Sequence, residues 1–323
     1  MTRDSAFHPV QIVPVAKSHA PLALGCWTFG KDQWTGKEDE NLTEAMAAAL
    51  TCGISHFDTA AGYGSGHSEK LIGKFLRGRR EAIFLATKAD THEMTSAKML
   101  ALVEESLTRL QTEYIDLFYI HWPRKGKDMR PLMEGLETAR QRGLVRAVGV
   151  SNFSVEQMAQ VQEAGTINAH QLCYNLLWRG AEQDIIPYCR KHNIAVVTYS
   201  SLAHGILTGK FPRELHLPAG DHRTEILLFQ PQVWAEIYPV VETLKALANE
   251  VQRPLAHLAV QWGLRQAGIT SALVGARDAA QVRQNAEALA GGIADGIFER
   301  MTAASNELLQ RLPNTGNVYL YDP

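Results

Sequence analysis

Cysteine is scarce and scattered in this chain. Cys26, Cys52, Cys173 and Cys189 are the only four in 323 residues, and no two form a Cys-x-x-Cys pair. That spacing argues against a disulfide framework or a thiolate metal site and fits free thiols in a reducing cytoplasm. Charge of one sign is missing as well: 32 Lys and Arg nearly balance 34 Asp and Glu, for a formal net charge of −2. So balanced a chain makes no electrostatic case for nucleic acid or an anionic membrane as a partner. No apolar run approaches the roughly 20 residues that span a bilayer. The opening Met1-Thr2-Arg3-Asp4 lacks the long apolar segment of a secretory signal, so a cytoplasmic location is expected. There is no His-x-His pair and no convincing Gly-x-Gly-x-x-Gly turn after a strand-like run. His204, His216 and His222 share one stretch without regular ligand spacing, so no metal is expected.

What the chain does have is alternation. With 46% hydrophobic and 20% charged residues it reads as an ordinary globular protein. Short apolar runs at 22–25, 54–57, 82–87, 115–120, 144–150, 169–173, 194–198 and 269–274 have no polar alternation. Such strands belong to a parallel sheet covered on both faces. Between them, apolar residues recur at helical spacing, as in Leu42, Ala45, Met46, Ala49 and Leu50, stopped by Gly53. Eight strand-then-helix units predict a (β/α)8 TIM barrel formed by residues 1–323 as one domain. Val10 to Val15 suggests a small N-terminal hairpin plugging the barrel bottom. Asp295 to about Arg311 suggests an extra C-terminal helix outside it. The segment from Ser201 to about Pro231 is too long for a plain connector and suits a functional cover.

Three consecutive strand-like runs end on or near ionisable groups. His56-Phe57-Asp58 leads into a glycine-bracketed loop carrying Tyr63, the next run ends on Lys88, and Ile115–Ile120 ends on His121. In an α/β barrel, strand C-termini face the active site. A free tyrosine has a pKa near about 10 and is a poor acid at neutral pH, but an adjacent ammonium favours its phenolate. Asp58 would then hold Lys88, Lys88 would tune Tyr63, and Tyr63 would exchange a proton with a carbonyl or alcohol oxygen positioned by His121. That is general acid–base chemistry on a carbonyl, and it needs a partner that delivers hydride.

These motifs resemble the aldo-keto reductase family over nearly the whole chain. Phe57-Asp58-Thr59-Ala60-x-x-Tyr63-Gly64 resembles the segment bearing the family's catalytic Asp and Tyr. Lys88 after Ala86-Thr87 is similar to its catalytic Lys, and Ile115-Asp116-Leu117-x-x-x-His121-Trp122-Pro123 to the segment with its catalytic His. Val145 to Phe153 is similar to the segment whose Ser-Asn pair holds a nicotinamide carboxamide. The resemblance implies an NADP(H)-dependent oxidoreductase without a Rossmann domain, interconverting aldehydes or ketones, sugars among them, with alcohols.

The same resemblance implies cofactor contacts. Ser151, Asn152 and Gln171 would fix the carboxamide, Tyr199 would stack on the ring, and Trp27 and Asp58 would lie beside it. Ser200, Leu202, Gly205 and Lys210 fall in a segment that resembles the family's pyrophosphate-gripping loop, although Ser201 and His204 stand where the family often has Pro and Arg. Gly275, Arg277, Gln281, Gln284 and Asn285 match the adenosine end, at the start of a helix whose N–H groups favour an anion. Arg277, which also suits a solvated helix start, would pair with a 2′-phosphate, favouring NADP(H) with NAD(H) as the alternative. Asp221-His222-Arg223 is a second candidate anion contact. Trp27, Trp34, Trp122 and Trp178 are candidate substrate-pocket walls, each with ordinary barrel packing as the alternative. The partner is then a small carbonyl or alcohol substrate. The alternative within the family is a cofactor-binding regulatory or redox-sensing subunit with little turnover, which would keep the same four groups.

Overall fold

The computed structural model describes residues 7–31, 38–218, 220–313 and 317–320. Its centre is a closed barrel of eight parallel strands: β3 (Leu22–Gly25), β4 (His56–Asp58), β5 (Phe84–Ala89), β6 (Ile115–Ile120), β7 (Val145–Ser151), β8 (Ala169–Cys173), β9 (Ala195–Tyr199) and β10 (Ile269–Gly275). β10 pairs with both β9 and β3, which closes the ring. Strands β1 (Val10–Gln11) and β2 (Ser18–His19) form an antiparallel hairpin before it. The loop of that hairpin sends Ile12 and Val15 into the barrel interior, against Ala23, Phe84, Leu117, Ala147, Val197 and Leu273. The hairpin therefore plugs one end of the barrel, and the other end is left for loops.

Helices cover the outside: α1 (Asp39–Thr51), α2 (His67–Leu76), α3 (Ser96–Leu110), α4 (Arg130–Gln141), α5 (Val155–Gln162), α6 (Ile185–Lys191), α7 (Pro231–Glu250), α8 (Leu255–Arg265), α9 (Ala279–Glu287) and α10 (Asp295–Leu309). Most bury one apolar stripe, as helical periodicity requires; on α3 that stripe is Met99, Val103, Leu107 and Leu110, and α10 lies against α7. Local chemistry sets the ends. Ser154 accepts the Gln157 N–H, and the Gln157 side chain reaches back to Ser154 N–H, closing a capping box on α5. Asp278 caps α9 through the Gln281 N–H at 2.9 Å. The long connection after β9 is built of short 3-10 turns, not a bare loop.

Strand parity decides what reaches the barrel mouth. Successive side chains alternate between the two faces of a strand. Phe84 and Ala86 point inward on β5, so Lys88 does too. Leu117 and Tyr119 point inward on β6, which puts His121 on the inner side. Ala147 leads to Ser151, Ala169 to Gln171, and Val197 to Tyr199. Gly149 interrupts the β7 series for a steric reason: a Cβ there would collide with the Tyr119 ring. That fully buried ring fills the barrel directly under the site.

Candidate active site

Asp58 ends β4 and Lys88 lies one residue inside β5, whose last residue is Ala89. The run of 82–87 read from the sequence is thus shifted toward the mouth, and Lys88 belongs to the strand itself. Lys88 Nζ donates to Asp58 Oδ1 at 2.5 Å and to the Thr59 carbonyl at 2.9 Å. Gln171 Nε2 donates to Asp58 Oδ2 at 2.8 Å. Burial pushes the Asp58 carboxyl up, and the Lys88 ammonium and these two hydrogen bonds oppose that rise. Both carboxylate oxygens are therefore engaged, and the ammonium is locked at a fixed point.

Tyr63 stands in the loop between β4 and α2. The loop is fastened on several sides. Thr59 N–H donates to Ala86 and Ala61 N–H to Lys88, both at 2.9 Å. Ser68 bonds the Thr59 hydroxyl at 2.8 Å and donates to the Cys26 carbonyl at 3.1 Å. Gly64 has φ +58°, and a Cβ there would collide with the Gly30 carbonyl, so the loop presses directly on the Trp27–Gly30 turn. Buried Glu69 ties α2 to Thr87 at 2.7 Å and to Arg109 at 2.5 Å. Thus held, the Tyr63 ring lies with its centroid 5.1 Å from Lys88 Nζ, 6.0 Å from the His121 ring and 6.3 Å from the Trp27 ring. His121 donates its backbone N–H to Ala89 at 2.9 Å. Burial first, then Lys88 and Arg124, push its imidazole well below the usual histidine range, so it is neutral at pH 7.

The four sequence-derived groups thus converge. A second set meets beside them. Asn152, in the left-handed region at φ 65°, donates through Nδ2 to Ser151 Oγ (3.0 Å) and to the His121 carbonyl (3.2 Å), and accepts the Tyr199 hydroxyl at 2.7 Å. These side chains keep hydrogen-bonding capacity beyond the bonds just named: the Ser151 hydroxyl proton, one lone pair of Asn152 Oδ1 and the Gln171 Oε1. One donor and two acceptors are the complement of a primary carboxamide.

After Tyr199 the chain makes a run of left-handed residues, Ser200, Ala203, His204 and Gly205. Ser200 Oγ bonds His204 Nε2 at 3.0 Å, and the Leu202 carbonyl accepts Gly205 N–H at 2.9 Å. Burial, followed by His222 and Arg223, pushes His204 down to about 3. Lys210 packs next to Gly205. Its ammonium is pushed below its ordinary value by burial and then by Arg223 and Arg277, with Asp221 opposing. Lys210 and Arg223 both lie over the Phe211 ring, at 5.0 and 5.2 Å from its centroid, and Arg223 is ion-paired to Asp221. Arg277 precedes α9; its N–H donates to Gln281 Oε1 at 3.0 Å, and Asn285 Nδ2 donates to the Gly275 carbonyl at 3.2 Å. Gln281 and Asn285 thus shape the turn with their side chains, while Gln284 is exposed.

The tryptophans divide. Trp27 touches Tyr63 and, edge-on at 4.9 Å, His222. Trp122 lies 6.1 Å from the His121 ring. Trp178, in the turn after β8, is half-buried and pairs back to Asn175. Trp34 lies outside the described residues. One ring the sequence did not signal joins the group: Tyr319, beyond the last helix, contacts Tyr199, Trp27, Trp122 and His204. Among the described residues no cluster of three metal-ligating side chains forms, no helix is long and apolar enough to cross a membrane, and the four cysteines are free thiols.

A family model, the aldo/keto reductase family, matches residues 21–306. The chain belongs to this family. As an aldo/keto reductase it is an oxidoreductase by class. It is 36% identical over 277 residues to the aldo-keto reductase YhdN of Bacillus subtilis, covering 82% of this chain and 84% of that one. Its fold is similar to that of the glycerol dehydrogenase of Gluconobacter oxydans, with a TM-score of 0.84, 33% identity and 97% of each chain covered. An aldo-keto reductase of Klebsiella pneumoniae, solved with NADPH, matches with a TM-score of 0.72 and 25% identity over 93% of this chain and 94% of that one.

Proposed function

We propose that this aldo/keto reductase interconverts carbonyl compounds and alcohols with NADP(H), Tyr63 serving as the proton donor and acceptor. The observation that carries the reading is the buried Asp58–Lys88 pair, with its ammonium 5.1 Å from the Tyr63 ring centroid and the His121 ring 6.0 Å from the same ring. The dinucleotide, when bound, supplies or accepts the hydride. Tyr63 gives its phenolic proton to the developing oxyanion of a reduced carbonyl. Lys88 stabilises the phenolate left behind, and Asp58 and the Thr59 carbonyl keep that cation in place without consuming its remaining proton. Neutral His121 offers an N–H to the same oxygen and so orients the carbonyl.

The cofactor assignment rests on fit. Ser151, Asn152 and Gln171 present one donor and two acceptors, as a nicotinamide carboxamide requires. Tyr199, fastened through its hydroxyl to Asn152, offers a fixed aromatic face. The Lys210 ammonium, disfavoured by burial and then by Arg223 and Arg277, suits a phosphate group, and Arg277 beside the α9 N-terminus suits a 2′-phosphate. Trp27 and Trp122 then wall the substrate, which suits small or aryl aldehydes, ketones and sugars. The test is NADPH consumption by the purified chain across a carbonyl panel, with NADH in parallel. Turnover of at least one aldehyde with NADPH is expected. Absence of turnover despite tight NADPH binding would favour a cofactor-sensing subunit.

A further inference from the structure

The C-terminal segment 317–320 returns to the barrel mouth and is pinned there. Val318 is fully buried, and its carbonyl accepts the Leu227 N–H at 2.8 Å. The Tyr319 N–H donates to Asn317 Oδ1 at 3.0 Å. These contacts aim the Tyr319 ring into the centre of the site. It stacks on Tyr199 with centroids 6.2 Å and planes 28° apart. His204 at 5.6 Å, Trp122 at 6.0 Å and Trp27 at 6.3 Å meet it edge-on. Burial first, then Cys173, pushes its phenol far above its ordinary value, with Ser200 opposing. Tyr199 cannot turn aside without losing its bond to Asn152. A ring already stacked there and an incoming planar ring are therefore rivals for one aromatic surface.

We propose that Tyr319 occupies the nicotinamide seat on Tyr199, so that the docked tail and the dinucleotide exclude one another and cofactor entry begins with expulsion of the tail. This rests on the reading of Tyr199 as the nicotinamide platform. The pin at Leu227 couples the tail to the strap, because Leu227 lies four residues after Arg223 in the same connection. Releasing the tail thus loosens the segment that carries one of the phosphate-facing cations. A docked tail lowers apparent cofactor affinity by the fraction of molecules in which the seat is open.

The test uses the full chain and two readouts, hydrogen exchange at the Leu227 amide and equilibrium binding of NADPH. NADPH is expected to speed exchange at Leu227 in the wild type. Tyr319→Ala is expected to bind NADPH about 5- to 10-fold more tightly, as for a seat blocked in most molecules. Tyr319→Phe, which keeps the ring, is expected to match the wild type. Slower Leu227 exchange with NADPH would mean that the tail closes over the cofactor, and would overturn the proposal. So would a Tyr319→Ala variant that binds no more tightly while the wild type binds well. If neither form binds NADPH, the platform reading falls and takes this proposal with it.

Discussion

Lys88 Nζ and Asp58 Oδ1 are 2.5 Å apart, and each side chain is only 2% exposed. Neither charge reaches water, so each depends on the other for solvation. Removing one partner of a buried pair leaves an uncompensated charge, at a cost of about 3–5 kcal/mol, whereas replacing both by neutral groups is often nearly neutral. Lys88→Met is therefore expected to lose several kcal/mol of stability in urea unfolding and to lose turnover. Asp58→Asn combined with Lys88→Met is expected to regain most of the stability and none of the activity. A double variant as unstable as the single one would show that the pair is not the coupled unit described here.

Arg277 separates the two nicotinamide dinucleotides, which differ by one phosphate. A charge-assisted contact contributes about 1.5–3 kcal/mol, or roughly 10- to 100-fold in affinity. Arg277→Ala is expected to weaken NADPH by that factor and to leave NADH within about twofold. Titration of intrinsic tryptophan fluorescence reads both constants, and equal weakening would remove the 2′-phosphate role.

Acid should destabilise the fold well before the carboxylates titrate. His56 and His121 are held well below their ordinary value, His170 is pushed down to about 4 and His204 to about 3, each mainly by burial. In every case the unfolded chain binds a proton that the folded chain refuses. Stability is therefore complete above pH 6.5 and falls as the pH drops below it, levelling only under the folded values. Each such histidine costs about 1.4 kcal/mol per pH unit across that window. Urea midpoints are expected to drop steadily from pH 7 to pH 5. A flat profile would contradict the burial of neutral imidazoles.

Much of this was legible in the sequence because the barrel is written in periodicity. Apolar runs without alternation marked the eight strands, and helical stripes marked the covering helices. Asp58, Tyr63, Lys88 and His121 stood out because strand ends carried ionisable groups. The parity that brings Ser151, Gln171 and Tyr199 to the same inner face follows from the same alternation. Other features leave no local trace. Tyr319 follows Leu312-Pro313 and has no periodic partner, and its place is set through its neighbour Val318, whose carbonyl accepts the N–H of Leu227, 91 positions before Val318 in the chain. The need for glycine at 149 comes from the Tyr119 ring on the neighbouring strand, which only the barrel register supplies.

The central claim is that Tyr63 moves the proton while the rest of the site binds and orients. The most direct test compares wild type and Tyr63→Phe, first for NADPH affinity and then for single-turnover reduction of an aldehyde. The loss of one hydroxyl, with the ring and its packing on Trp27 retained, should leave affinity within about threefold and cut the reductive rate by roughly 100- to 10,000-fold, the usual scale of a positioned general acid. A Tyr63→Phe enzyme that reduces the aldehyde within a few-fold of the wild-type rate would contradict the account and move the proton to another group.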